Sequence, residues 1–241
     1  MSGPPPGLSV REAAEELGVS PSAVRQLIAQ GQVRASKFAG RLVVDPDHLR
    51  QASAVGRPPG RPFSPVAAWV LLGLLAGQKP TSVSPSRLSQ LRRHLRSDDP
   101  QELVGRLRKR ADLAFWYVHP SLLGELAAEP RCVLGGRSAG ELVGADLAGH
   151  SDLLEVYLSP AAADQLAHDY VADLDVSVGV ANVVVRQVEA GRVPEHEPRV
   201  AAAPVVALDL IETGEARVIG AGWSLWLQRL DAWRKDDAHG C

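Results

Sequence analysis

Apolar residues Val10, Ala13, Ala14 and Leu17 recur at the i, i+3, i+4, i+7 spacing of one helix face. Ser9-Val10-Arg11-Glu12 in front of them is a capping box, a Ser three residues before a Glu that can each satisfy the other's backbone amide. Gly18-Val19-Ser20 breaks that helix, since glycine takes up the left-handed turn at low cost. Ser20 then suits a cap and Pro21 a first helical position. Val24, Leu27 and Ile28 form the buried face of this second helix, and Gly31 ends it. Two short helices joined this way predict a helix-turn-helix. Alternation from Val33 to Val44 predicts a hairpin with Ala39-Gly40 at its turn, and Asp45-Pro46 opens one more short helix through Gln51.

Beyond residue 55 the pattern changes. Ser64 to Gly77 is apolar almost all round and predicts a buried helix. A second helix opens at Ser84-Pro85, with Leu88, Leu91 and Leu95 inward and Arg87, Arg92, Arg93 and Arg96 outward. A third opens at Asp99-Pro100, carries Leu103 and Leu107, and ends in basic residues Arg106 to Arg110. Leu113 to Val118 reads as a strand. This central stretch is either a second winged-helix unit or a helical unit with a solvated basic face. The C-terminal half alternates signals: a short apolar run at Arg131–Leu134, a helix at Ser138–Leu147, a strand at Leu153–Leu158 and a helix from Ser159-Pro160 to Ala172. A valine-rich strand follows over Val176–Val188, bent near Gly179 or Asn182, and then two helices, Val200–Glu212 and Ala216–Asp236. The fold class expected is multi-domain α+β. It comprises a winged helix-turn-helix at 8–54, a Pro/Arg-rich linker at 55–63, a basic three-helix unit at 64–118 and an α/β domain at 119–241.

Composition narrows the function classes. The longest apolar stretch, Ser64 to Gly77, is shorter than the roughly 20 residues of a membrane-spanning helix. Met1 to Gly7 lacks the basic and apolar regions of a signal peptide. A cytoplasmic location without membrane contact is expected. Two cysteines, Cys132 and Cys241, far apart, make neither a disulfide framework nor a metal-ligand spacing, and the seven histidines are scattered, so neither a metal nor a cofactor is expected. The net charge of −2 hides an asymmetry. Residues 1–110 hold 17 Lys and Arg against 8 Asp and Glu, a net of +9, and residues 111–241 hold 9 against 20, a net of −11. A basic half favours phosphate contact, and an acidic half suits a basic partner or simple solubility.

Candidate chemistry follows the charge. On the second helix Ser22, Arg25, Gln26 and Ala29 lie off the apolar face. Arg pairs with guanine edges and Gln with adenine, so the stretch from Ser20 to Gln26 is the candidate base reader. Arg34, Lys37 and Arg41 decorate the hairpin as phosphate contacts. Gly56 to Pro62 holds two Gly-Arg-Pro triplets; it is either a stiff linker or an arm that lays Arg57 and Arg61 into the minor groove. Gly135-Gly136-Arg137-Ser138 suggests a phosphate loop but lacks the Lys-Ser/Thr of a P-loop. With Asp173 and Asp175 downstream it resembles nucleotidyltransferases, at a longer spacing than theirs. His168-Asp169, His150 and His196 form no arguable catalytic pair, and no enzymatic activity is expected.

Leu8 to Val33, with Gly40-Arg41-Leu42-Val43-Val44-Asp45 and Asp47-His48-Leu49, resembles the excisionase/MerR-type helix-turn-helix domain. The resemblance implies that the second helix enters the major groove of double-stranded DNA and the hairpin flanks it. It lacks a long dimerisation helix and effector cysteines. A shorter set of matches is similar to AbiEi-type antitoxins: Tyr117 to Ser121, Val133 to Asp146, Leu154 to Leu158 and Ala203 to Arg217. That likeness implies a regulator that represses its own operon and whose C-terminal domain counters a nucleotidyltransferase toxin. The expected function is therefore a DNA-binding transcriptional regulator, with a cognate toxin protein as partner in the antitoxin case. The alternatives are a nucleotidyltransferase-like enzyme and a protein–protein adaptor using the acidic half. A homodimer is a further expectation, since such proteins often bind paired half-sites; the last helix, with Trp223, Trp226, Leu227, Leu230 and Trp233 at helical spacing, is either its interface or core.

Overall fold

The computed structural model describes residues 7–29, 33, 35–38, 40–46, 49, 61–80, 83–147, 152–174, 176, 180–213 and 215–239. The N-terminal module comprises β1 (Leu8–Ser9), α1 (Val10–Leu17), α2 (Pro21–Ala29), β2 (Ala35–Phe38) and β3 (Arg41–Val44). Its sheet has the order β1-β3-β2, antiparallel throughout, with Leu8 opposite Val44 and Phe38 opposite Arg41. Ala13, Ala14, Val24, Val33, Val44 and Leu49 form a buried cluster of their own. The Leu49 amide donates to the Asp45 carbonyl as in a helical turn; most of the short helix expected through Gln51 lies outside the described residues.

The larger body holds α3 (Pro65–Leu75), α4 (Pro85–Ser97), α5 (Pro100–Leu107), β4 (Asp112–Trp116), α6 (Leu123–Ala128), β5 (Val133–Leu134), α7 (Gly136–Gly140), β6 (Leu154–Leu158), α8 (Pro160–Asp169), β7 (Val183–Gln187), β8 (Glu195–Glu197), β9 (Val200–Ala201), α9 (Ala203–Ile211) and α10 (Ala216–His239). Its strands form one mixed sheet of order β4-β7-β6-β5-β9-β8. β6 and β7 run parallel, joined by a crossover containing α8, and β4 lies antiparallel to β7 on the edge. β4 thus belongs to this six-stranded sheet, and the helices α3 to α5 share one hydrophobic cluster with α9 and α10.

Both faces of the sheet are covered, which is why every residue of β6 is buried. Successive strand side chains point to opposite faces. Leu154, Val156 and Leu158 of β6, with Val183 and Val185 of β7, pack into a cluster with Trp116, Leu126, Cys132 and Leu166. Tyr157 packs on the other side with α3, α9 and α10, in the largest cluster. Within that cluster α9, and α3 from Ala67 onward, are buried on all sides, and α10 contributes Trp226 and Leu230, with Trp223 and Trp233 half-buried against it and Leu227 exposed.

Several boundaries differ from the sequence pattern for local reasons. Val200 and Ala201, expected to start a helix, pair with β5 and β8 instead, and α9 begins only after Ala202. The helix expected over Ser138–Leu147 starts at Gly136 and breaks at Gly144, which is left-handed at φ 82°. α8 stops at Asp169, with Val171 in a left-handed conformation at φ 48°. His196 lies in β8.

Candidate nucleic-acid interface

The turn between α1 and α2 is built by reciprocal capping. Ser9 Oγ accepts from the Glu12 amide at 3.2 Å, and the Ser9 amide donates to Glu12 Oε2 at 2.7 Å. The backbone bond from Ser9, and then the hydroxyl contact, hold the Glu12 carboxyl below the usual carboxylate range. Gly18 closes α1 at φ 63°, where any side chain would be strained, and the Val19 amide returns to the Ala14 carbonyl at 3.0 Å. Ser20 Oγ then accepts from the Ala23 amide at 3.2 Å and pairs with Ser22 Oγ at 2.8 Å. α2 is thereby fixed against α1 through Ala13, Ala14 and Val24.

This frame presents the start of α2 to solvent. Ser20, Ser22 and Arg25 are all exposed, while Val24 is buried and Leu27 and Ile28 are half-buried. Ser20 is occupied as the cap, so Ser22 and Arg25 are the accessible polar groups there. Gln26 falls on the same helix and Lys37 on β2. Arg41 is exposed at the first position of β3, next to the turn at Gly40 (φ 77°). Arg34 and Arg57 lie outside the described residues. Arg61 is exposed at the start of the larger body, and its carbonyl accepts from Arg106 Nε at 3.2 Å. The outer side of α1 is acidic: Glu12, Glu15 and Glu16 are exposed, with one ion pair from Arg11 to Glu15 at 3.3 Å. A polyanion is therefore favoured on the α2 side and opposed on the α1 side.

The glycine loop of the larger body has a different role. The Gly136 amide donates to Asp209 Oδ2 at 3.0 Å and the Arg137 amide to Glu155 Oε1 at 3.0 Å. The amides that could cradle a phosphate are thus taken by the chain's own carboxylates. Ser138 Oγ accepts from the Glu155 amide at 2.9 Å. A Cβ on Gly136 would fall 2.3 Å from the Glu155 carboxylate, and one on Gly135 would fall 2.9 Å from Asp209 Oδ2. Asp209, fully buried in α9, also accepts from Arg110 Nη2 and from Tyr157 Oη, both at 2.6 Å, and lies 3.1 Å from Arg186 Nε. Arg186 Nη1 donates to Glu155 Oε2 at 2.9 Å, and Arg110 Nη1 to Glu212 Oε1 at 2.7 Å. Burial disfavours the charged form of Arg110, but the Glu212 and Asp209 carboxylates outweigh it and hold the guanidinium charged. Burial beside Asp209 pushes the Tyr157 hydroxyl well up and keeps it a donor.

The sequence reading missed this network. Its signal is a lone charged residue inside an apolar run: Glu155 in β6, Arg186 after three valines in β7, Asp209 in α9. Asp173 exchanges backbone hydrogen bonds with Tyr117, both at 2.9 Å, and Asp175 lies outside the described residues. Among the described residues no group of three or more His, Cys, Asp or Glu is placed to hold a metal ion, and no helix is long and apolar enough to cross a membrane.

No curated protein and no solved structure matches the chain. A family model described as a helix-turn-helix domain matches residues 8–52, which contain the capped α1–turn–α2 unit and its hairpin. The N-terminal module is therefore a helix-turn-helix domain, consistent with the excisionase type that its sequence resembles.

Proposed function

We propose that the protein is a DNA-binding transcriptional regulator in which α2 enters the major groove and the β2–β3 hairpin lies against the flanking backbone. The observation that carries this reading is the polarity of the module. Ser22 and Arg25 are exposed on a helix start pinned by the Gly18 turn, and three of the module's five acidic residues, Glu12, Glu15 and Glu16, sit on α1. Arg25 and Gln26 supply direct base contacts, Ser22 a contact to base or phosphate, and Arg34, Lys37 and Arg41 phosphate contacts. Arg57 and Arg61 extend the interface into the minor groove. The test is a mobility shift on the DNA upstream of the protein's own gene at two salt concentrations. Arg25→Ala weakens selective binding by about 1–3 kcal/mol, the worth of one bidentate base contact. Equal binding of wild type and variant to any DNA overturns the reading.

The finer reading is an autoregulatory antitoxin whose acidic half, net −11 over residues 111–241, engages a cognate toxin. It is supported by that charge and by the sequence likeness at four short stretches, 117–121, 133–146, 154–158 and 203–217. Co-purification of the full chain with its neighbouring gene product tests it. A nucleotidyltransferase role draws no support from the Gly135–Ser138 loop, whose amides are internally bonded.

A further inference from the structure

We infer that the exposed face of α4, formed by Ser86, Arg87, Ser89, Gln90 and Arg93, is a second binding surface for double-stranded DNA. The inference rests on the DNA-binding reading above. α4 opens as α2 does. Ser84-Pro85-Ser86 repeats Ser20-Pro21-Ser22, and the two serine hydroxyls pair at 3.2 Å in α4 and at 2.8 Å in α2. In this register Leu88 stands where Val24 does, Gln90 where Gln26 does and Leu91 where Leu27 does. Ser64-Pro65 and Ser159-Pro160 also open helices, but α3 is buried on all sides from Ala67 onward and α8 follows its proline with three alanines. α4 alone among these pairs the Ser-Pro-Ser opening with exposed Arg and Gln residues, as α2 pairs it with an exposed Arg25.

The opposite side of α4 is committed to the body. Leu91 and Leu95 are buried, Arg234 of α10 donates to the Leu95 and Asp98 carbonyls at 2.8 and 2.9 Å, and Arg96 pairs with Asp237. The five residues of the proposed surface are exposed, and no acidic residue lies among them. Among the described residues no ion pair engages Arg87 or Arg93; Arg87 Nη1 donates to Gln90 Oε1 at 3.2 Å. The wider stretch 61–110 carries ten Lys and Arg against three Asp and Glu. Of those three, Asp98 is held by Arg106 and His94, both at 2.9 Å, and Asp99 caps α5 through the Gln101 amide. α5 does not offer an equivalent surface, since Leu103, Val104, Gly105 and Leu107 are buried.

The chain enters the body beside this helix. Arg106 holds the Arg61 carbonyl and lies 3.9 Å over the Phe63 ring, which meets His94 of α4 edge-on at 5.3 Å. Between Leu49 and Arg61 the backbone can extend at most about 40 Å, which exceeds the roughly 34 Å of one turn of duplex. α2 and α4 can therefore reach one DNA about a turn apart, each raising the effective concentration of the other.

The test is a hydroxyl-radical footprint and a salt titration on the upstream DNA, using the full chain, Arg87→Ala/Arg93→Ala and Arg25→Ala, with circular dichroism confirming the fold. Wild type should protect two patches about one turn apart. The double variant should protect only one patch and lower the slope of log K against log salt by about 2, near 0.9 for each phosphate no longer neutralised. Arg25→Ala should keep the α4 patch and lose selectivity. An unchanged footprint and slope in the double variant overturn the α4 surface, while sensitivity to Arg25→Ala would leave the α2 reading standing. A double variant that changes only the sedimentation of the protein assigns the face to contacts between copies of this chain and also overturns the inference. No footprint from wild type overturns both readings.

Discussion

Replacing Asp209 by asparagine keeps the side chain's shape and removes its charge. Its two oxygens face donors only: Arg110 and Tyr157 at Oδ1, with Arg186 Nε 3.1 Å away, and the Gly136 amide at Oδ2. Whichever way an Asn amide is turned, its NH2 meets a donor. Two guanidiniums buried on the sheet are deprived of their shared counter-charge, although Glu212 and Glu155 still reach one each. Breaking one partner from a buried ion pair costs about 3–5 kcal/mol, a large share of the roughly 5–15 kcal/mol that holds a domain folded. For a chain of this size that lowers Tm by about 6–20 °C, at roughly 2–4 °C per kcal/mol. Urea unfolding followed by tryptophan fluorescence is the assay. Trp69, Trp116, Trp223, Trp226 and Trp233 are all in the larger body, so the signal does not mix in the N-terminal module. A loss below about 1 kcal/mol for Asp209→Asn would refute the view that this carboxylate balances both arginines.

Ser9→Ala removes the cap of α1 and should cost about 1 kcal/mol, read from far-UV circular dichroism melts. Because the Glu12 carboxyl titrates below its ordinary value, its share of that stability is present above the unfolded-state pKa and is lost as pH falls through the folded one. The wild type should therefore lose helix stability on acidification more than Glu12→Gln does, since the largest cause, the Ser9 amide bond to the carboxylate, goes with that charge, and parallel acid profiles would count against the capping box. In a Cys241→Ser background Cys132 is the sole thiol. Burial, with Glu129 nearby, pushes it up to about 11, so labelling by a thiol reagent at pH 8 should be slow in the native protein and fast in urea. Equal rates would show the site is open.

What could be read from the sequence was local. The capping box, the Gly18 turn and the Ser20 cap need only neighbouring residues, and all three form as the pattern requires. The helices opened by Ser64-Pro65, Ser84-Pro85, Asp99-Pro100 and Ser159-Pro160 begin where those pairs place them. The strands missed or misread were short and held by distant partners. β1 is two residues set against β3, and Val200-Ala201 carries a helical pattern until β5 and β8 claim it. The exposed start of α2 was legible because an amphipathic helix declares its outer face. The Asp209 network was not, because periodicity is silent about which charge across the chain will meet a lone acid in an apolar helix.

The distances along the chain that separate the members of that network bear on how the protein is made. Arg110 waits for a partner 99 residues downstream, Gly136 for one 73 downstream, and Arg186 for the same helix. A nascent chain carrying residues up to 200 therefore holds two arginines destined for the interior with two of their three carboxylate partners, Asp209 and Glu212, still unmade. The buried charge network of the larger body cannot be complete before α9 is available. The N-terminal module has its core complete by Leu49 and can fold long before that.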